Sequence, residues 1–359
     1  MNRQDAKRIG ILIVAACFAL LLSGCANVGY YFQSVSGQLD IWRRERPVEE
    51  VIADPAVSTA LKERLARVLE IRAFASRELS LPDNASYRSY ADLGRSHVVW
   101  IVFAAPEFSV QPHQSCFLFA GCVSYRGYFA REDAERYSAG LAGEGYDVYI
   151  GGVPAYSTLG WFADPVLNTF IDYPDAEIAR LIFHELAHQV AYARDDTVFN
   201  ESFAAAVEQE GVRRWLAVGG DTQQLRQFDQ RRRIRGEFSG LVQNYRERLD
   251  ALYRTRLAPD ALRDRKRAIL AELASEYRSR KAGWGGFTGY DSWFAGTPNN
   301  AQLASVAVYS QQVPAFEALL AREGGNLARF YAAVQELAAL PKAERDSRMN
   351  ALVHPVAGI

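Results

Sequence analysis

The chain has 359 residues, 49% of them apolar and 23% charged, which is an ordinary globular balance. Its 41 basic and 42 acidic residues leave a net charge of −1, no electrostatic footprint for nucleic acid or an acidic membrane surface. The length exceeds one typical domain core and no internal repeat is visible, so one large or two modest lobes are expected.

Residues 1–24 form the pattern of an export signal. Arg3, Lys7 and Arg8 precede an apolar run from Ile9 to Leu22, too short to span a membrane comfortably. The run ends Leu22-Ser23-Gly24-Cys25, which resembles the bacterial lipobox; the alternative is an ordinary signal peptide with an accidental cysteine. The resemblance implies that Cys25 is lipidated and that the mature chain is 25–359, with 25–220 and 221–359 as its lobes if there are two. Ala26, where an Asp would imply inner-membrane retention, makes a periplasm-facing outer-membrane anchor the default expectation. Without Arg3, Asp5, Lys7 and Arg8 the net charge is about −3.

Tyr30 to Leu81 has a helical period, with Leu61, Leu65, Val68, Leu69 and Ile71 on its apolar side. Val98 to Ala104 is a buried-strand candidate. Cys116 and Cys122, close together in an exported chain, are most simply a disulfide; His113 is too little company for a second metal site. Arg131 to Gly143 forms a short helix, Tyr146 to Ile150 a strand, and Ala155 to Trp161 a second strand candidate.

His184-Glu185-Leu186-Ala187-His188 then spells H-E-x-x-H, the signature of zinc metalloproteases. Residues four apart share one helix face, so His184 and His188 can aim at one metal. Glu185 stands one step round, able to act as a general base without ligating. Ile178, Leu181, Ile182 and Leu186 keep a helical period into the motif, and Pro174-Asp175 suits a helix start.

A catalytic zinc needs a third protein ligand. The metzincin pattern fails, because Ala191 and Arg194 stand where its Gly and His should be. The better candidate is Glu201 in Asn200-Glu201-Ser202-Phe203-Ala204, a segment similar to the N-E-x-F/A of gluzincin peptidases. Only twelve residues separate His188 from Glu201, so the connection must be tight, with a turn at Arg194–Thr197. Asn200 is expected to cap the second helix and put Glu201 in its first turn. Asp195 and Asp196 fit turn and capping roles, and one of them suits a contact to a zinc-bound histidine.

Residues 222–282 form a charged helical hairpin broken near Pro259, with Ile234, Phe238, Leu241, Tyr245, Leu249 and Leu252 facing inward. Trp284 to Asn300 is a Gly- and aromatic-rich loop of the kind that lines a cleft, and Gln302–Val308 and Pro314–Ala339 are helical. Tyr290 and Tyr309 are candidate oxyanion donors, and Glu208 and Asp291 candidate anchors for a substrate amine.

The lipobox, the run Cys116, Cys122, Tyr125-Arg126-Gly127-Tyr128-Phe129, H-E-L-A-H-Q and F-N-E-S-F-A together resemble the bacterial family described as putative aminopeptidases. The resemblance covers nearly the whole mature chain. It implies a zincin-like core, one zinc per chain and a peptide substrate; together with the elements above, the expected fold is predominantly helical α+β with a small mixed sheet and the added hairpin. In zincins an edge strand pairs with the substrate backbone, and Tyr156–Trp161 is the candidate for it. Two alternatives stand beside the aminopeptidase reading: a zinc endopeptidase or amidase of the envelope, and a non-catalytic zinc-stabilised lipoprotein. Oligomeric state is open.

Overall fold

The computed structural model describes residues 29–117, 121–220 and 222–353. The signal segment and Cys25 lie outside them. No helix among the described residues is long and apolar enough to cross a membrane. One helix, α1 (29–44), belongs to an N-terminal unit, and from Arg46 onward the chain forms a second compact unit.

The long helix expected over Tyr30–Leu81 is three helices. Pro47 lacks an amide donor and sits in a two-residue strand, β1 (Arg46–Pro47), which separates α1 from α2 (Val48–Ala53). Ser58 then caps α3 (Thr59–Leu79), accepting from Leu61 N at 3.3 Å. Of the predicted apolar positions, Leu65, Val68 and Ile71 are fully buried, and Leu61 and Leu69 are half-buried.

Among the described residues three small sheets accompany the helices. One is mixed: β2 (Ser89–Ala91) lies between β1, antiparallel, and β8 (Val166–Leu167), parallel. The central sheet is antiparallel, with β3 (Val99–Pro106) flanked by β6 (Arg126–Tyr128) and β7 (Tyr146–Val153). The third is a hairpin of β4 (Ser115–Phe117) and β5 (Gly121–Val123), in which Cys116 and Cys122 are paired across the strands and joined by a disulfide. The helix α4 (Arg131–Gly143) has the expected bounds. The strand expected over Ala155–Trp161 is absent. Thr158–Trp161 closes a turn, with Leu159 and Gly160 both at positive φ, and that geometry cannot continue a β ladder.

Two helices follow: α5 (Asp175–His188), starting after Pro174, and α6 (Thr197–Val218). They pack closely because Gly211 has no side chain; a Cβ there would stand 2.7 Å from Phe183 and 2.8 Å from Leu79. The charged hairpin is α7 (Thr222–Tyr253) and α8 (Pro259–Gly283), with Pro259 in the first turn of α8. Its inward face is the predicted one, closed by Leu262, Leu270, Leu273 and Tyr277 from α8. The Trp284–Asn300 loop is anchored by Trp284 and Trp293, which are buried in the hairpin core. The remaining helices are α9 (Asn300–Ser310), α10 (Val313–Arg322), α11 (Leu327–Ala339) and α12 (Lys342–Val353). Gly324 and Gly325, both at positive φ, divide the single helix expected over Pro314–Ala339.

Candidate metal centre

The helical spacing brings His184 and His188 together on α5, where their Nε2 atoms are 3.2 Å apart. Glu201 Oε2, from α6, lies 3.3 Å from His184 Nε2 and 3.6 Å from His188 Nε2. All three residues are buried. Ligands at the usual zinc–nitrogen and zinc–oxygen lengths in a tetrahedron are about 3.3 Å apart, so the triangle matches three corners of such a site. The chemistry also fits. Two imidazole nitrogens and a carboxylate oxygen, each a lone-pair donor when deprotonated, converge on one point, and a divalent cation would satisfy all three. Among the described residues no other His, Cys, Asp and Glu group could hold a metal.

The surroundings favour positive charge at this point. His184 Nδ1 lies 3.0 Å from Glu208 Oε2. Burial opposes charging His184, but Glu201 and Glu208 outweigh it and raise its pKa to about 10. Burial also opposes ionising Glu208. Arg180 at 3.0 Å, His184 and Arg235 at 3.2 Å reverse that and hold its carboxyl at about 2. Glu201 is likewise held ionised against its burial by His188 and His184. Glu185 is 7% exposed and stands outside the triad. Burial raises its pKa, Glu201 and Glu208 raise it further, and the histidines oppose them.

The turn between the helices differs from the expectation. Asp196, not Asn200, caps α6, accepting from Phe199 N at 3.2 Å. Glu201 therefore falls in the second turn of α6. Asn200 instead pins the connection, accepting from Ala193 N at 2.7 Å and donating to Ala193 O at 2.9 Å. Neither Asp195 nor Asp196 approaches the histidines. Asp195 is a turn residue at φ 64° that accepts from Cys122 N, while Asp196 pairs with Arg345 at 2.8 Å.

Tyr309 reaches the centre, its ring 6.3 Å from that of His184. Burial and the neighbouring Glu201, Glu185 and Glu208 push its hydroxyl well above the usual tyrosine range, so it stays protonated. Tyr290 stacks its ring on Phe238 at 3.7 Å against the hairpin core, with its hydroxyl in electrostatic contact with Arg235 and Arg180 rather than beside the histidines. The two candidate amine anchors are both engaged elsewhere, Glu208 by His184 and two arginines and Asp291 by Tyr277 and Lys281. The proposed edge-strand segment Tyr156–Trp161 is a loop, although Ser157 Oγ donates to Glu185 O at 3.4 Å.

A family profile described as "Putative aminopeptidase" matches residues 29–349. The chain belongs to that family. The match spans every residue of the centre, and the family indicates peptidase activity. No curated protein and no solved structure matches the chain.

Of two further contributors to this aminopeptidase-family site, the sequence offered Glu208 only as an amine anchor and gave Tyr125 no role at the centre. Glu208 follows Glu201 by seven residues, two turns along one face of α6, and that periodicity was the available signal for its role. Tyr125 donates its hydroxyl to Glu201 Oε1 at 3.1 Å. Its signal was its place just after Cys122 in the Tyr-Arg-Gly-Tyr-Phe run, but nothing local says that this run packs against α6.

Proposed function

We propose that the chain hydrolyses peptide bonds with one zinc held by His184, His188 and Glu201. The observation that carries this reading is the triangle of Nε2, Nε2 and Oε2 atoms with edges of 3.2, 3.3 and 3.6 Å. Zinc bound there would supply a Lewis acid that acidifies a water and polarises a carbonyl. Glu185, made more basic by its burial, takes the proton of the attacking water and returns it to the leaving amine. Tyr309, kept protonated, donates its hydroxyl to the oxygen on which charge develops. Glu208 accepts from His184 Nδ1, so the Nε2 lone pair faces the centre once the other ring proton is displaced by zinc.

The family points to removal of N-terminal residues, and comparing substrates with free and blocked amines tests that against endopeptidase or amidase action. The reading of a purely structural zinc is less well supported, because such a site needs no carboxylate like Glu185 beside it. The N-terminal pattern supports lipidation of Cys25 and a periplasm-facing, outer-membrane location. Radiolabelled palmitate incorporated by the wild type but not by Cys25→Ala would bear this out.

The deciding experiment is the metal content of the purified chain beside Glu201→Ala. About one zinc per chain, lost or greatly weakened in the variant, supports the site. No zinc after reconstitution overturns it.

A further inference from the structure

The β4–β5 hairpin lies on the short connection that joins the two histidine ligands on α5 to Glu201 on α6. Gly121 approaches it so closely that a Cβ there would stand 2.3 Å from Asp195 Oδ1. Cys122 N donates to the same Asp195 oxygen at 2.6 Å. Two residues on, Ser124 N donates to Thr197 Oγ1, at the start of α6, at 3.1 Å. Tyr125 follows. Its ring packs on Phe103 of β3, with centroids 5.5 Å apart, and its hydroxyl donates to Glu201 Oε1 at 3.1 Å. Cys122, Ser124 and Tyr125 therefore contact Asp195, Thr197 and Glu201 in matching order.

The division of labour on Glu201 is specific. Oε2 faces the histidines, whereas Oε1 accepts from Tyr125. A carboxylate with one oxygen tied back has its rotation fixed and presents the other as a single ligand atom. The disulfide holds the opposite strand of the hairpin, through Cys116, to Cys122, the residue bonded to Asp195.

We infer that Tyr125 is a positioning residue for the third metal ligand, and that the Cys116–Cys122 hairpin holds it in place, so that an element remote in sequence sets the affinity of the centre. This rests on the zinc reading above. It assigns Tyr125 no contact with substrate.

The test uses the full purified chain. Zinc affinity is measured by chelator competition, and the visible spectrum of the cobalt(II)-substituted protein is recorded for the wild type, Tyr125→Phe, Cys116→Ser/Cys122→Ser and the combined variant. Tyr125→Phe keeps the ring and is expected to weaken zinc binding about tenfold and to shift the cobalt bands, as loss of a partner that orients a ligand does. The cysteine variant should weaken zinc binding in the same direction, and its effect should largely vanish in the Tyr125→Phe background. Tyr125→Phe with wild-type affinity and an unchanged cobalt spectrum overturns the positioning role. A cysteine effect that persists in full without the Tyr125 hydroxyl overturns the link to the hairpin. If the cysteine variant does not fold, the wild type reduced with a phosphine under native conditions replaces it. A wild-type chain that binds no zinc would instead overturn the zinc reading itself.

Discussion

The pair α5–α6 and the hairpin α7–α8 are both long helical pairs with apolar cores, yet only α5–α6 buries a cluster of ionisable residues as well. Every buried residue of α7 is apolar or aromatic, from Phe228 to Leu252. Most arginines of the hairpin face solvent, as in the Arg267–Asp264 pair, whose side chains are 68% and 69% exposed, and Arg235 is the one that reaches Glu208 of α6. Lys266, the buried cation of α8, is neutralised by Asp147 at 2.6 Å. In α5–α6, by contrast, His184, Glu185, His188, Asn200, Glu201 and Glu208 are all buried. Burying ionisable groups opposes folding unless they are paired. The hairpin is explained by packing, whereas α5–α6 keeps polar residues that packing alone would replace. That difference is the reason for proposing the chemistry in α5–α6.

Mutations should separate the two regions. The largest effect is expected from Glu185→Gln, which should lower kcat for peptide hydrolysis by about 10²–10⁴-fold while zinc content stays near one per chain. Wild-type activity in this variant would remove the reason for treating Glu185 as the base. Glu208→Gln leaves the triad intact but weakens the acceptor for His184 Nδ1, and zinc affinity should fall about 10–100-fold in a chelator titration. In the hairpin the outcome should invert. Leu249→Ala, at a fully buried position, should cost about 2–5 kcal/mol in denaturant unfolding without altering zinc affinity. Loss of zinc in a folded Leu249→Ala protein would show that the regions are coupled.

A smaller effect concerns Asp164, a buried carboxyl near Glu185. Burial raises its pKa to about 7, against the hydrogen bonds from Thr158. The unfolded carboxyl ionises near pH 4, whereas the folded one stays protonated until about 7, so the native state holds the extra proton between these values. Stability must then fall as pH rises through that window. Asp164→Asn should remove this loss, matching the wild type near pH 4 and gaining on it toward pH 7 in urea titrations. A difference independent of pH would show that Asp164 ionises normally. The smallest effect is expected at the hairpin surface, where Arg267→Ala should change stability by no more than about 0.5 kcal/mol.

Local pattern was enough for much of this molecule. The 3.6-residue period placed α5 and the inward face of α7, a terminal glycine marked the end of α4, and the i, i+4 spacing brought His184 and His188 onto one face because helix geometry leaves no other choice. Where a residue's role depends on a distant partner, local pattern ran out. Asn200 has the chemistry of a cap but bonds Ala193, since Asp196 caps one turn earlier. Tyr290 and Tyr309 are indistinguishable as residues, yet one stacks in the hairpin core and the other stands beside His184.

By itself the sequence determined the metal-competent residues, because two ligands share one helix and the third lies just beyond the next turn. Only the tertiary structure decided what supports them. Glu208, Arg180 and Arg235 meet where α5, α6 and α7 come together, and Tyr125 arrives on the strand segment after the disulfide hairpin. Such contacts join residues as far as 76 positions apart. They arise from how helices and strands pack, and no local periodicity encodes that.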